Sequence, residues 1–160
     1  MLVNASFLLL SAAAATTAAP TCATRDDRVE RLIATNAKES GGQEYCQFRL
    51  YETLSDVDGD RREDFLVVFE IEGEGGGNNS VQYLAVFPSG TAWTPAVTEV
   101  GRRGQRAVKA LRVESGVIVL DTLDQGPDDA MCCPSIKGEA TLRFTKGTLL
   151  PVAPARPPAK

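Results

Sequence analysis

Residues 55–65 read SDVDGDRREDF, and Asp56, Asp58, Asp60 and Asp64 stand in them at a spacing suited to one kind of chemistry. Acidic residues at alternate positions of a tight turn aim several carboxylate oxygens at one centre, and a hard cation such as calcium takes about six to eight oxygens. The expected ligands are the carboxylates of Asp56, Asp58, Asp60 and Asp64 and the backbone carbonyl of Arg62, with Gly59 relieving the turn. The stretch is not an EF-hand loop, because Arg61 stands where such a loop has glycine and Val67 where it has its final glutamate. Arg61 must then take a backbone conformation that glycine normally supplies. Together with Arg62 it also sets positive charge beside the acidic turn. The competing reading is a solvated hairpin turn whose aspartates bond their own backbone.

Cys22, Cys46, Cys132 and Cys133 are the other residues with chemical potential. With no histidine in the chain and no CxxC spacing, neither a zinc site nor a thioredoxin-like redox centre is expected. Disulfides are, and four thiols allow three pairings. A Cys132–Cys133 bond is disfavoured, since a trans peptide fixes adjacent Cα atoms at about 3.8 Å, below the roughly 4.4–6.8 Å that disulfides usually span. The expected bonds send Cys132 and Cys133 to Cys46 and Cys22, in either order, and staple the N-terminal segment and first strand to a late loop.

Catalysis finds little support. The commonest general base is missing, and no G-x-S-x-G, nucleotide loop or metal-histidine motif occurs. Paired carboxylates exist in Asp121 with Asp124 and Asp128 with Asp129, but charged residues beside strand ends are usually solvated. Trp93 and Tyr51 read as packing residues. The formal net charge of −4 provides no basic surface for nucleic acid.

The elements that must position these residues follow from periodicity. Thr24 with Asp27 resembles a capping box, and Val29, Leu32 and Ile33 follow at helical spacing, so one helix is expected over about residues 26–38, ended by Gly41 and Gly42. The period then changes to two. YCQFRLYE alternates, with Cys46, Phe48 and Leu50 on one face and Tyr45, Gln47, Arg49 and Tyr51 on the other; DFLVVFEIE aligns Phe65, Val67, Phe69 and Ile71. VQYLAVF follows a glycine-rich turn, and further apolar runs are separated by turns such as Ser115-Gly116 and Lys146-Gly147. The fold class is therefore α+β, mainly antiparallel β: one N-terminal helix, then a meander of about six to eight strands, with a curled or barrel-like sheet as the way to protect its edges.

The chain has 160 residues, 43% of them hydrophobic and 24% charged, which suits one domain, placed at 25–152. Before it, residues 1–19 read as a secretory signal peptide, uncharged, with an apolar stretch too short to span a membrane and small residues near the cut. No transmembrane span is expected in the mature chain. Residues 153–160 form a proline-rich tail expected to be disordered. The compartment expected is exported, periplasmic or extracellular, where disulfides persist.

Two resemblances add to this reading. DVDGDRREDFLVV resembles the calcium loops of integrin-type FG-GAP repeats, D-x-[DN]-G-D-G-x-x-D before a strand, and departs at the second glycine; with one copy present, no propeller is implied. Over most of the mature chain, the acidic loop followed by Gly126, Pro127, Asp129, Met131, Cys132, Cys133 and Pro134 resembles small exported bacterial proteins of uncharacterised role that carry a late G-P-x-D-P-M-C-C-P-T segment. Ala130 and Ser135 replace its proline and threonine. That resemblance implies a compartment and no activity. The function expected is a non-catalytic envelope or periplasmic domain with a structural calcium ion and an unidentified protein or envelope component as partner. The alternative is a disulfide-stabilised inhibitor or interaction protein that meets an exported hydrolase through Gly126 to Ser135 or Gly73 to Ser80.

Overall fold

A computed structural model describes residues 26–90 and 94–152. The leader, Cys22, Thr24, Trp93 and the 153–160 tail lie outside the described residues.

Helix α1 spans Asp27–Ser40 and buries Val29, Ile33 and Ala37, residues four apart on one stripe. Its cap is Asp26, whose carboxylate accepts the Arg28 N–H at 2.9 Å and also holds the Arg28 guanidinium. The expected Thr24–Asp27 box is thereby corrected, since the residue next to the first turn is an Asx cap in its own right. Asp27 and Glu30 in the first turn and Lys38 in the last complement the helix dipole. After Gly41 the chain passes so close to the sheet that a Cβ on Gly42 would lie 2.5 Å from the Glu72 carbonyl oxygen. Only glycine allows that approach.

Eight strands follow in a purely antiparallel meander: β1 (Gln43–Ser55), β2 (Asp64–Glu72), β3 (Ser80–Phe87), β4 (Ala96–Arg102), β5 (Arg106–Glu114), β6 (Val117–Asp124), β7 (Ile136–Thr145) and β8 (Thr148–Pro151). Sequential strands are neighbours throughout, and β1 does not pair with β8, so the sheet is curled but not closed into a barrel. The expected turns at Ser115-Gly116 and Lys146-Gly147 have positive φ at both residues, 50° and 74° and then 51° and 80°, which suits two-residue hairpins.

The β2–β3 ladder is apolar on both faces. Val67, Phe69, Ile71, Ala85 and Phe87 pack beneath α1, while Leu66, Val68, Leu84 and Val86 enter a second cluster with Val108, Ile118, Leu120, Leu142 and Phe144. Arg49, read as an outward residue of β1, is instead 6% exposed, bridging Glu30 of α1 and Glu44 at 2.6–3.1 Å. Burial works against its charge, but the two carboxylates hold its proton more firmly than usual.

The second cluster exists because the sheet folds over. β4 and β5 pair only at Arg102↔Arg106 and then diverge, bringing β5 against β1 and β8 against β4. The buried side chain of Gln82 fills the gap, accepting the Val108 N–H at 2.7 Å and donating to Glu70 at 3.0 Å. Gly101 leaves it room, since a Cβ there would lie 2.6 Å from Gln82 Oε1. Replacing Gln82 by Leu keeps the volume but strands a buried N–H, so urea denaturation of Gln82→Leu should show a loss of about 1–3 kcal/mol. A loss under about 0.3 kcal/mol would mean that the Val108 amide does not need this acceptor.

Candidate metal centre

Residues 56–63 connect β1 to β2 and form the predicted acidic turn. Two side chains fix it to the body. Val57 is buried in the core cluster below, and Asp64, 1% exposed, accepts the Val57 N–H at 2.9 Å on one oxygen and the Ser89 N–H at 2.8 Å on the other. Asp64 thus ties the acidic turn to the loop after β3.

Above this anchor, Asp56, Asp58 and Asp64 each bring a carboxylate oxygen within 4.8 Å of the others. Asp56 accepts the Gly59 N–H at 2.7 Å and the Arg61 N–H at 2.8 Å; Asp58 accepts the Asp60 N–H at 2.9 Å. Asp60 stands outside the cluster, exposed, with its carboxylate on the Arg62 N–H at 2.8 Å. Arg62, expected to ligate through its carbonyl, enters the turn's bonding through that N–H. Both readings of the turn therefore share one geometry: the aspartates bond their own backbone, and three of them also converge.

Gly59 has φ 86°, and Arg61 takes φ 69°, as its place in the pattern required. The left-handed conformation costs a residue with a Cβ roughly 1–2 kcal/mol. The bond from Arg61 N–H to Asp56 offsets part of that. Among the described residues neither Arg61 nor Arg62 forms a salt bridge, so their charges do not neutralise the cluster by contact.

The two outer carboxylates differ in electrostatics. Burial pushes Asp56 upward, but the N–H groups of Arg61, Gly59, Asp58 and Asp60 outweigh it and hold the carboxyl below its ordinary value. Asp58 is pushed up, first by burial and then by the charges of Asp64, Asp60 and Asp56, against one N–H from Asp60. The ionised form of Asp58 is therefore disfavoured where it stands, and that of Asp56 favoured. A carboxylate has about four lone-pair sites, so one N–H per oxygen leaves capacity for a cation. The donor set of hard oxygens fits calcium or magnesium and not a soft metal. Carbonyls and waters would have to complete the shell.

The cysteines depart from expectation. Cys132 and Cys133 are bonded to each other, with S–S 2.20 Å and Cα atoms 3.8 Å apart. Cys46 is disulfide-bonded too, while Cys22 lies outside the described residues. The expected staple from the late loop to β1 is thus corrected. The usual Cα spacing describes bridges between distant residues; here the peptide sets the separation and the 126–135 loop presents both thiols on one tight turn. Asp129 organises that loop, accepting the Gly126 N–H, the Ser135 N–H and the Ser135 hydroxyl at 2.7–2.8 Å. The first of these bonds and the Ser135 hydroxyl hold its carboxyl below the ordinary value.

In a meander, successive connections alternate between the two ends of the sheet. The acidic turn shares one end with the turns after β3, β5 and β7; the 73–79, 103–105 and 125–135 connections share the other. At that second end lies a cleft of about 710 Å³, lined among others by Gly41, Asn78, Arg103, Lys109, Met131 and Cys132. The two loops singled out in the sequence, Gly73 to Ser80 and Gly126 to Ser135, are two of its walls. The carboxylate pairs considered for acid–base chemistry are otherwise engaged: Asp121 with Arg112, Asp124 with Arg106, and Asp129 within its loop. Tyr51 packs on Phe65 at 5.8 Å between ring centroids.

Asp64→Asn offers one acceptor where two N–H groups need one each, and should cost about 1–3 kcal/mol in urea denaturation, whereas exposed Asp60→Asn should change stability by under about 0.5 kcal/mol. Equal effects would show that Asp64 is not the anchor. Comparison of the chain with protein-family models, with curated proteins and with solved structures finds no match.

Proposed function

We propose that this chain is an exported, non-catalytic binding domain whose 56–64 loop takes a structural calcium ion. The observation that carries the reading is the convergence of Asp56, Asp58 and Asp64 on one point, with Asp64 buried and anchored by two backbone N–H groups. Calcium suits the loop better than magnesium because it accepts irregular oxygen shells, whereas magnesium demands a near-ideal octahedron. Export is supported by the leader pattern and by the lack of free cysteines among the described residues.

The test uses Asp58. A carboxyl whose pKa is raised by folding binds its proton more tightly in the folded state, so its contribution to stability is present at low pH and is lost as pH rises through the folded value. In chelator at pH 7, Asp58→Asn should therefore melt at or above the wild-type temperature, with the difference shrinking as pH falls through the carboxylate range. In calcium the order should reverse. Calcium at a hundredfold excess over its Kd stabilises the wild type by about 2.7 kcal/mol, and Asp58→Asn should lose most of this. A wild type indifferent to calcium, or an equal shift in Asp58→Asn, removes the site.

A second reading, an interaction or inhibitor protein, is favoured by the meeting of the two named loops in one cleft. Met131, 69% exposed on that wall, is the natural contact. Recovery of an exported hydrolase on immobilised protein should fall at least about tenfold with Met131→Asp, as for loss of an interface anchor. Undiminished recovery would count against this surface.

A further inference from the structure

A disulfide stabilises a fold by removing freedom from the unfolded chain, and the effect grows with the loop it closes. The Cys132–Cys133 bridge joins residues one apart and closes no loop beyond the peptide between them. It cannot act as a staple in that sense. Nor does it hold the 126–135 loop together, because Asp129 bonds both ends of the loop, Gln125 donates to the Asp129 and Ala130 carbonyls, and the Cys133 N–H reaches the Ala130 carbonyl. Both cysteines are exposed, and Cys132 lines the cleft at the second end of the sheet. An exposed bridge with little structural duty is the kind open to thiol exchange.

We propose that Cys132–Cys133 is a thiol–disulfide exchange site that a dithiol reaches through this cleft, and that the loop keeps its shape in both redox states. The donor's thiolate attacks Sγ of Cys132, the Cys132–Cys133 bond breaks, and Cys133 leaves as a thiolate that takes up a proton. The donor's second thiolate then attacks the donor sulfur of the mixed disulfide and releases Cys132, which is protonated in turn. Two electrons pass from dithiol to bridge, the dithiol becomes a disulfide, and two protons end on the cysteines. Arg103 and Lys109 line the same cleft as Cys132 without a carboxylate partner among the described residues, and their charge favours the Cys132 thiolate released in the second step. The inference does not depend on the cation at the opposite end.

The folded protein is incubated with dithiothreitol, quenched with iodoacetamide at intervals, and each cysteine's alkylation is followed by peptide mass spectrometry. Cys132 and Cys133 should open at least about tenfold faster than the bridge of Cys46, as expected for an exposed site. The melting temperature of the partly reduced protein, and of the Cys132→Ser/Cys133→Ser double variant, should stay within about 3 °C of the oxidised wild type. Opening of Cys46 at the same rate or earlier would overturn the proposal. So would a melting temperature that collapses in the double variant, which would make the bridge structural.

Discussion

Leu66, Val68, Leu84 and Val86 leave the β2–β3 ladder on one side while Val67, Phe69, Ala85 and Phe87 leave it on the other, and all of them are buried. A ladder with two apolar faces needs two covers, and at roughly 25 cal/mol per Å² the exposure of either face would outweigh most of a domain's net stability. Helix α1 is one cover. The other is the second half of the sheet itself, which reaches the far face only because β4 and β5 part after Arg102↔Arg106. Gln82 and Gly101 make that parting tolerable, one by supplying the lost hydrogen bond and the other by making space.

Folding over also sorts the chemistry. Alternation of connections sends the acidic turn to one end and the cysteine loop to the other, so the two cannot form a single centre. The acidic end is short of positive charge at contact distance, with Arg61 and Arg62 exposed and Asp58 pushed upward. The cleft at the opposite end is mixed in charge: Arg102 pairs with Glu74 and Glu99 and Arg106 with Asp124, Glu70 and Glu72 also line it, and Arg103 and Lys109 have no carboxylate partner among the described residues.

Much of this was legible in the sequence, and the failures have separate physical causes. The helix showed in the helical spacing of Val29, Leu32 and Ile33, the meander in period-two runs divided by turn dipeptides, and the acidic turn in its spacing, including the backbone conformation forced on Arg61. Those are local signals. Arg49 and Gln82 were not legible, because a polar residue in an alternating strand reads as solvent-facing until a second layer covers it. Asp60 was counted as a ligand from spacing alone, yet spacing does not say which carboxylates point inward. The adjacent disulfide was missed because a distance typical of distant cysteines was applied to neighbours, for which the peptide bond leaves the distance no freedom.

The two loops turn out to be built alike. Each is fixed by one aspartate that collects donors from both sides of the connection: Asp64 takes the N–H groups of Val57 and Ser89, and Asp129 takes those of Gly126 and Ser135. Such charge-assisted bonds are worth roughly twice neutral ones and hold their geometry without help from a metal or a disulfide. A cation would then act on Asp56 and Asp58, the members of the cluster nearer to solvent, and leave the frame as it stands; opening of the Cys132–Cys133 bridge would likewise leave the Asp129 frame intact. A carboxylate held by two backbone N–H groups thus supplies, at each end of this sheet, a frame that neither a cation nor the Cys132–Cys133 bridge is needed to build.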